Sequence, residues 1–394
     1  MNLMNSHGTR SEGRRPSPDS RRLILLVSAV CAVAPLWFSC GPLKSTENLT
    51  QTAAPGSATP NPVATLTLTT TPSATPGTLS LASLDRLPVD LVSPAFSPDG
   101  SEILGGGQDG LMVGSADGTN LHVLLSKASA NVTGFAWSPD GSKIAVTVVP
   151  GGITSSTQPS DLVIMNPDGS SPVDVGKNDF PTYFQFLPDG RLAFVRDAHL
   201  HLFTPPTGVD AVAANASAII NDASAALVPF LVSDDGSYIA RQSGTMLTLQ
   251  NVATGASTQL TNTLDLRGWS GYGWSPSGVL AYADIDATRV PSLHLYEPSS
   301  ASDQVVLRGT ESGVFSGVRW SNPRWLLFVF YPSGTVAEEL SQYQAFDTLT
   351  ETTTQLFSKG MGFRVSGGGS KLGFGRSQGL GQPAGEWVAT LATQ

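Results

Sequence analysis

Three observations in this sequence predict an all-β fold, a seven-bladed β-propeller of four-stranded antiparallel blades. First, one short phrase recurs seven times. Second, its spacing matches the length of a four-stranded blade. Third, 41 glycines and 28 prolines in 394 residues supply the many turns that short strands require. The phrase reads Phe96-Ser97-Pro98-Asp99-Gly100, Trp137-Ser138-Pro139-Asp140-Gly141 and Phe186-Leu187-Pro188-Asp189-Gly190. It continues as Val232-Ser233-Asp234-Asp235-Gly236 and Trp274-Ser275-Pro276-Ser277-Gly278. Two degraded copies follow, Trp320-Ser321-Asn322-Pro323 and Val365-Ser366-Gly367-Gly368-Gly369. The second residues of the seven copies lie 41 to 49 residues apart. Periods of this size belong to propeller blades.

The chemistry of the phrase explains its form. Proline presets φ for the second position of a tight turn, aspartate bonds nearby backbone amides, and glycine accepts positive φ. An aromatic strand A precedes each turn and an apolar strand B follows it, as in Ser142-Lys143-Ile144-Ala145-Val146. Strand C is exemplified by Asp161-Leu162-Val163-Ile164-Met165, and a second turn, Pro167-Asp168-Gly169, leads to strand D. The seventh copy has only Lys371–Gly375 and Glu386–Ala392 after it, so its outer strand is missing. Thr78–Leu84, an alternating segment ahead of the first copy, is expected to fill that place and close the ring.

These phrases, with the segments of the Asp161–Gly169 type, resemble the repeats of the TolB propeller family over roughly residues 90–394. The resemblance implies a partner-binding role outside the cytoplasm, without specifying the partner.

The N-terminal region reads as an export signal. Five arginines within residues 10–22 precede an apolar run, Leu23–Phe38, that ends in Ser39-Cys40-Gly41. The run is 16 residues long, short of the ~20 that span a bilayer comfortably. Its end resembles a bacterial lipoprotein signal with Cys40 as the lipidated residue, although Trp37 and Phe38 replace the usual leucine and small residue. An uncleaved anchor and an ordinary cleaved signal are the alternatives. Arg21-Arg22 ahead of the apolar run also resembles a twin-arginine signal, but paired arginines are common in basic leaders. From Ser45 to Thr78 the chain is rich in Thr, Pro, Ala and Ser, with Glu47 its only charge, and reads as a disordered spacer. The expected organisation is a signal or anchor over 1–39, a linker over 40–77 and the propeller over 78–394.

Charge and cysteine content narrow the function. Without residues 1–39 the net charge moves from −9 to −12. No basic stripe appears, so nucleic acid is not expected as a partner. Both cysteines, Cys31 and Cys40, lie in or beside the leader, so no disulfide and no cysteine metal site is expected in the propeller. His199 and His201 share a strand face as zinc ligands can, but His201 aligns with Val163 and His294 at a ring-shaped filler position. The turn aspartates belong to separate blades and read as turn caps, not as a calcium site. No Gly-x-Ser-x-Gly elbow and no Gly-rich phosphate loop is present, and no cofactor is expected.

Two features remain as candidate sites. The B–C loops are expected to be long in blade 2 (Gly151–Ser160), blade 5 (Asp284–Pro291), blade 6 (Tyr331–Ser341) and blade 7 (Ser377–Gly385). With the crossover Asp210–Ala226 they would share one face, where an envelope protein or other ligand would bind. Arg319 and Arg364 lie two residues before the aligned serine of successive blades, and Gln185 is their equivalent in blade 3. Cations on an inner strand need partners; an ion pair with an acid of a neighbouring blade is expected for at least one of them, and an anion in the channel is the alternative. The reading is a non-catalytic envelope binding or scaffold protein. The alternative is a propeller enzyme of lactonase, lyase or glycosidase type with its site at the channel mouth.

Overall fold

The computed structural model describes residues 77–88, 91–128, 130–150, 160–179, 184–196, 199–205, 207–212, 230–265, 271–378, 381 and 383–393. These form seven four-stranded antiparallel sheets, with no α-helix among the described residues. In blades 1 to 6 the strands pair in chain order, A to D, from the inside outwards. The inner strands are Val92–Phe96, Ala130–Trp137, Phe184–Phe186, Phe230–Val232, Tyr272–Trp274, Val314–Trp320 and Met361–Val365.

The recurring phrase builds the A–B turn as its chemistry predicts. The Ser97 hydroxyl donates to Asp99 Oδ1 (2.7 Å) and accepts from the Glu102 amide (2.9 Å). Asp99 Oδ1 accepts the Ser101 amide (3.0 Å), and Gly100 takes a φ of 72°. The bonds from Ser97 and then Ser101 hold the Asp99 carboxyl below its ordinary pKa. The same set recurs with Ser138, Asp140 and Ser142, and with Ser233, Asp235 and Ser237.

The degraded copies serve a second purpose. The blade 7 turn nests between its neighbours: Gly368 N donates to Pro98 O of blade 1 (2.8 Å), and Ser321 Oγ of blade 6 donates to Gly369 O (3.0 Å). A Cβ on Gly369 would lie 2.1 Å from Ser321 O, and its φ is 68°. Only glycine fits there.

The core lies between blades, because alternate residues of each strand face opposite neighbours. The phrase aromatics Trp137, Phe186, Trp274 and Trp320 are all buried. Each indole also reaches the preceding blade. Trp137 Nε1 donates to Ala95 O (3.2 Å), Trp274 Nε1 to Leu231 O (3.1 Å) and Trp320 Nε1 to Gly273 O (3.2 Å).

The ring closes as the sequence predicts. Leu79–Arg86 is the outer strand of blade 7 and pairs antiparallel with Gly385–Thr393, from Leu79↔Thr393 to Arg86↔Trp387. Both strands run slightly past their expected ends. At the start of the closing strand, Arg324 Nη2 donates to Gly77 O (2.9 Å) while the same guanidinium grips Asp347 through Nε (2.7 Å) and Nη2 (2.6 Å). That grip, with the Leu349 amide and Thr350 hydroxyl, holds the Asp347 carboxyl well below the usual carboxylate range.

The loops depart from expectation in two places. In blade 5, strand B runs to Ile285 and strand C starts at Pro291, so only a tight turn separates them. Asp286 Oδ1 caps it by accepting the Thr288 (2.9 Å) and Val290 (3.0 Å) amides. In blade 3, Asp210 belongs to strand D (Val209–Val212) and not to the crossover. The blade 2 loop 151–159 and crossover residues 213–229 lie outside the described residues, as does Cys40.

Candidate functional site

Among the described residues, the loops of blades 6 and 7 are joined directly. The blade 6 B–C loop folds into a short 3₁₀ turn, Glu338–Leu340. The buried Glu338 carboxylate accepts the Ser377 amide of the blade 7 loop at 2.8 and 3.0 Å. Arg376 lies between Trp387 (4.6 Å) and Phe374 (5.2 Å) and donates to Lys359 O (2.8 Å) and Ser358 O (3.2 Å). Burial lowers the Arg376 pKa, and Tyr343 and Glu338 oppose that shift. Neither Glu338 nor Arg376 stands out in the sequence, because their partners are backbone atoms brought close by the blade 6–7 interface.

At the same register level, the seven inner strands present Ala95, Ala136, Gln185, Leu231, Gly273, Arg319 and Arg364. Gln185 is spent on structure: its amide donates to Val232 O (2.9 Å) and accepts the Val232 amide (3.2 Å), joining blade 3 to blade 4. Arg319 and Arg364 each follow a register shift in their strands, between Ser316 and Arg319 and between Met361 and Arg364. Such shifts re-aim side chains.

Arg319 is buried, with Nη1 donating to Tyr272 O (3.1 Å) and Val318 O (2.6 Å). Burial pulls its pKa down to about 9; Tyr272 opposes this and the Arg364 charge adds to it. It remains a cation at neutral pH. Arg364 is partly exposed, and burial lowers its pKa while Glu386 favours the charge. Among the described residues it makes no ion pair within 4.0 Å. The structure therefore places the two arginines near one another and assigns Gln185 to a blade-bridging role.

A second polar cluster escaped the sequence reading. His294 of blade 5 stacks on Tyr282 (4.7 Å) and sits between Asp303 Oδ1, 3.1 Å from Nδ1, and Asp284 Oδ1, 3.4 Å from Nε2. Tyr282 Oη donates to Asp303 Oδ2 (2.7 Å). Only the strand register brings these residues together. His201 occupies the equivalent place in blade 3, stacked on Phe194 with 5.2 Å between ring centres, as its alignment with His294 implies. Among the described residues no group of three or more His, Cys, Asp or Glu side chains, this cluster included, is arranged so that it could hold a metal ion.

Burial opposes the His294 charge, and the two aspartates more than offset it, so its pKa is raised. A raised folded pKa gives stability that is complete below the unfolded value of about 6.5 and is lost as pH rises through the folded value. Replacing His294 by glutamine is therefore expected to lower the melting temperature more at pH 5.5 than at pH 8.5. Equal losses at both pH values would show that the histidine acts only by packing.

The architecture defines the class: a seven-bladed β-propeller with two arginines on its inner strands. No family model and no curated protein matches the sequence. Of solved structures, 1027 chains match, so the fold alone selects no function. One is a chain of a mitotic checkpoint complex, with TM-score 0.51 and 12% identity, covering 83% of this chain and 99% of that one. Another is an oligogalacturonate lyase in complex with manganese, with TM-score 0.47 and 14% identity, covering 79% and 82%. At 12% identity the likeness to the checkpoint chain is one of fold alone.

Proposed function

We propose that this chain is a non-catalytic binding or scaffold protein of the cell envelope, a TolB-like propeller tethered to the membrane at Cys40. Its partner engages the face built by the B–C loops and D–A crossovers. The observation that carries this reading is the polarity of the closing strand. The strand starts at the tight-turn face, where Arg324 of the blade 6 A–B turn holds Gly77 O. It ends at the loop face, where Arg86 Nε donates to Ala384 O (2.7 Å). A tether reaching the propeller at Gly77 therefore joins the face opposite the loops and leaves the loop face open to a partner. The bond from the Ser377 amide to Glu338 ties the blade 6 and blade 7 loops of that face together.

Val336 and Leu349 are both exposed, on the B–C loop and the C–D turn of the same blade. A photo-crosslinker placed at each in turn, in the native host, tests the reading. The expected result is a protein captured from Val336 in the membrane fraction, none from Leu349, and loss of that membrane capture on Cys40→Ala. Capture from Leu349 alone, or from neither, contradicts the assignment of the face. Capture that stays in the membrane after Cys40→Ala contradicts attachment at that residue.

A further inference from the structure

We infer that the inner layer of blades 6 and 7 is a carboxylate-binding site, with Arg364 as its principal contact and Arg319 beside it; this rests on the binding-module reading above. Two cations occupy the same level of adjacent inner strands, and the Arg364 charge acts on Arg319. Arg319 is fixed by its bonds to Tyr272 O and Val318 O, so it supplies a positive charge in a set place. Arg364 is partly open to solvent and makes no ion pair within 4.0 Å among the described residues. No other position of the layer carries a charge that competes for an anion, and Ala136 and Leu231 pack into the cores between blades. Ala95, Ala136 and Gly273 are small, Leu231 is apolar, and the Gln185 amide is committed to Val232.

The chemistry of the pair selects the ligand. A guanidinium presents two parallel N–H groups that match the two oxygens of a carboxylate. Glu386 acts on Arg364 as a nearby negative charge. It favours a planar carboxylate group, which brings one negative charge to the guanidinium, over phosphate, which concentrates up to two charges on one centre. The carboxylate can belong to a small free acid or to an acidic side chain or C-terminus of the partner.

Isothermal titration of the full chain with succinate at constant ionic strength tests the site, with inorganic phosphate as the comparison. Succinate is expected to bind the native chain more tightly than phosphate does. Arg364→Gln is expected to weaken succinate at least ten-fold, and Arg364→Lys to recover part of that loss, since lysine restores charge without the fork. Because Arg364 adds a like charge beside Arg319, Arg364→Gln should melt at or above the native temperature. A melting point several degrees lower would mark Arg364 as a structural cation and overturn the proposal. Absent succinate binding, equal binding by native chain and variant, or tighter phosphate binding would do the same.

The crosslink at Val336 separates the two sources of the carboxylate. If the variant loses succinate but keeps the crosslink, the ligand is a free acid. If it loses both, the partner brings the carboxylate. If succinate never binds while the crosslink persists, the inner-layer site is wrong and the face assignment stands.

Discussion

Replacing Trp320 by alanine is expected to cost about 3–5 kcal/mol of stability, the range for emptying a large aromatic site in a packed core. The ring is buried at the blade 5–6 interface among Ala281, Leu293, Phe328 and Phe346. Its loss leaves a cavity that two rigid sheets cannot close. It also leaves Gly273 O without the indole donor it accepts at 3.2 Å. Trp320→Phe separates the two effects, because it keeps most of the apolar surface and removes the N–H. That variant should lose about 1 kcal/mol, the net value of one hydrogen bond, since Gly273 stays paired with Ala281 in the ladder. Urea denaturation measures both. A loss below about 1 kcal/mol for Trp320→Ala would mean that the indole does not hold the blades together. Trp137 and Trp274 make the same kind of contact to Ala95 O and Leu231 O, so parallel losses are expected there.

The parts of this fold that were legible in the sequence are those whose chemistry is local. Within five or six residues, Ser97, Asp99 and Gly100 satisfy one another, and the same letters recur in the other blades. Strand alternation then places the phrase aromatics inside, and the unpaired last blade points to the segment that completes it. Contacts between blades were not legible. Trp320 and Gly273 lie 47 residues apart, and nothing in either local sequence marks them as partners. The same holds for the Gln185 amide, which bonds a backbone 47 residues away, and so its role as a bridge had no sequence signal.

Proline misled in one place. Pro291 looked like the end of a loop, but it begins strand C of blade 5, where a missing N–H costs nothing, and its carbonyl accepts the Gly309 amide (2.8 Å). The Asp284–His294–Asp303 cluster was hidden for a related reason. Its members sit on three successive strands and meet only through the ladder, with Asp284 opposite Ser292 and Tyr296 opposite Asp303. At the inner layer the sequence placed Arg319 and Arg364 at one level, and the structure supplied what distinguishes them: the Arg319 guanidinium is tied to carbonyls, while Arg364 is partly exposed as a residue and makes no ion pair within 4.0 Å among the described residues.

The proposed role depends on a ring that is shut, because the loop face, the tether point at Gly77 and the Arg364 strand all belong to the seam of blades 6, 7 and 1. The seam is held by a strand from the opposite end of the domain. Without Leu79–Arg86 the strand Gly385–Thr393 becomes an open edge, and the buried Leu79 and partly buried Leu81 and Leu84 leave the blade 6–7 core. At roughly 1.5–3 kcal/mol for each buried leucine, with the lost ladder besides, the cost reaches about 5 kcal/mol or more. That compares with the ~5–15 kcal/mol that keep a typical domain folded. The deciding measurement is urea unfolding of a chain beginning at Gly77 beside one beginning at Pro88. We predict one cooperative transition for the first, and for the second a midpoint far lower or no cooperative transition at all. Equal midpoints and slopes for the two chains would contradict closure by this strand.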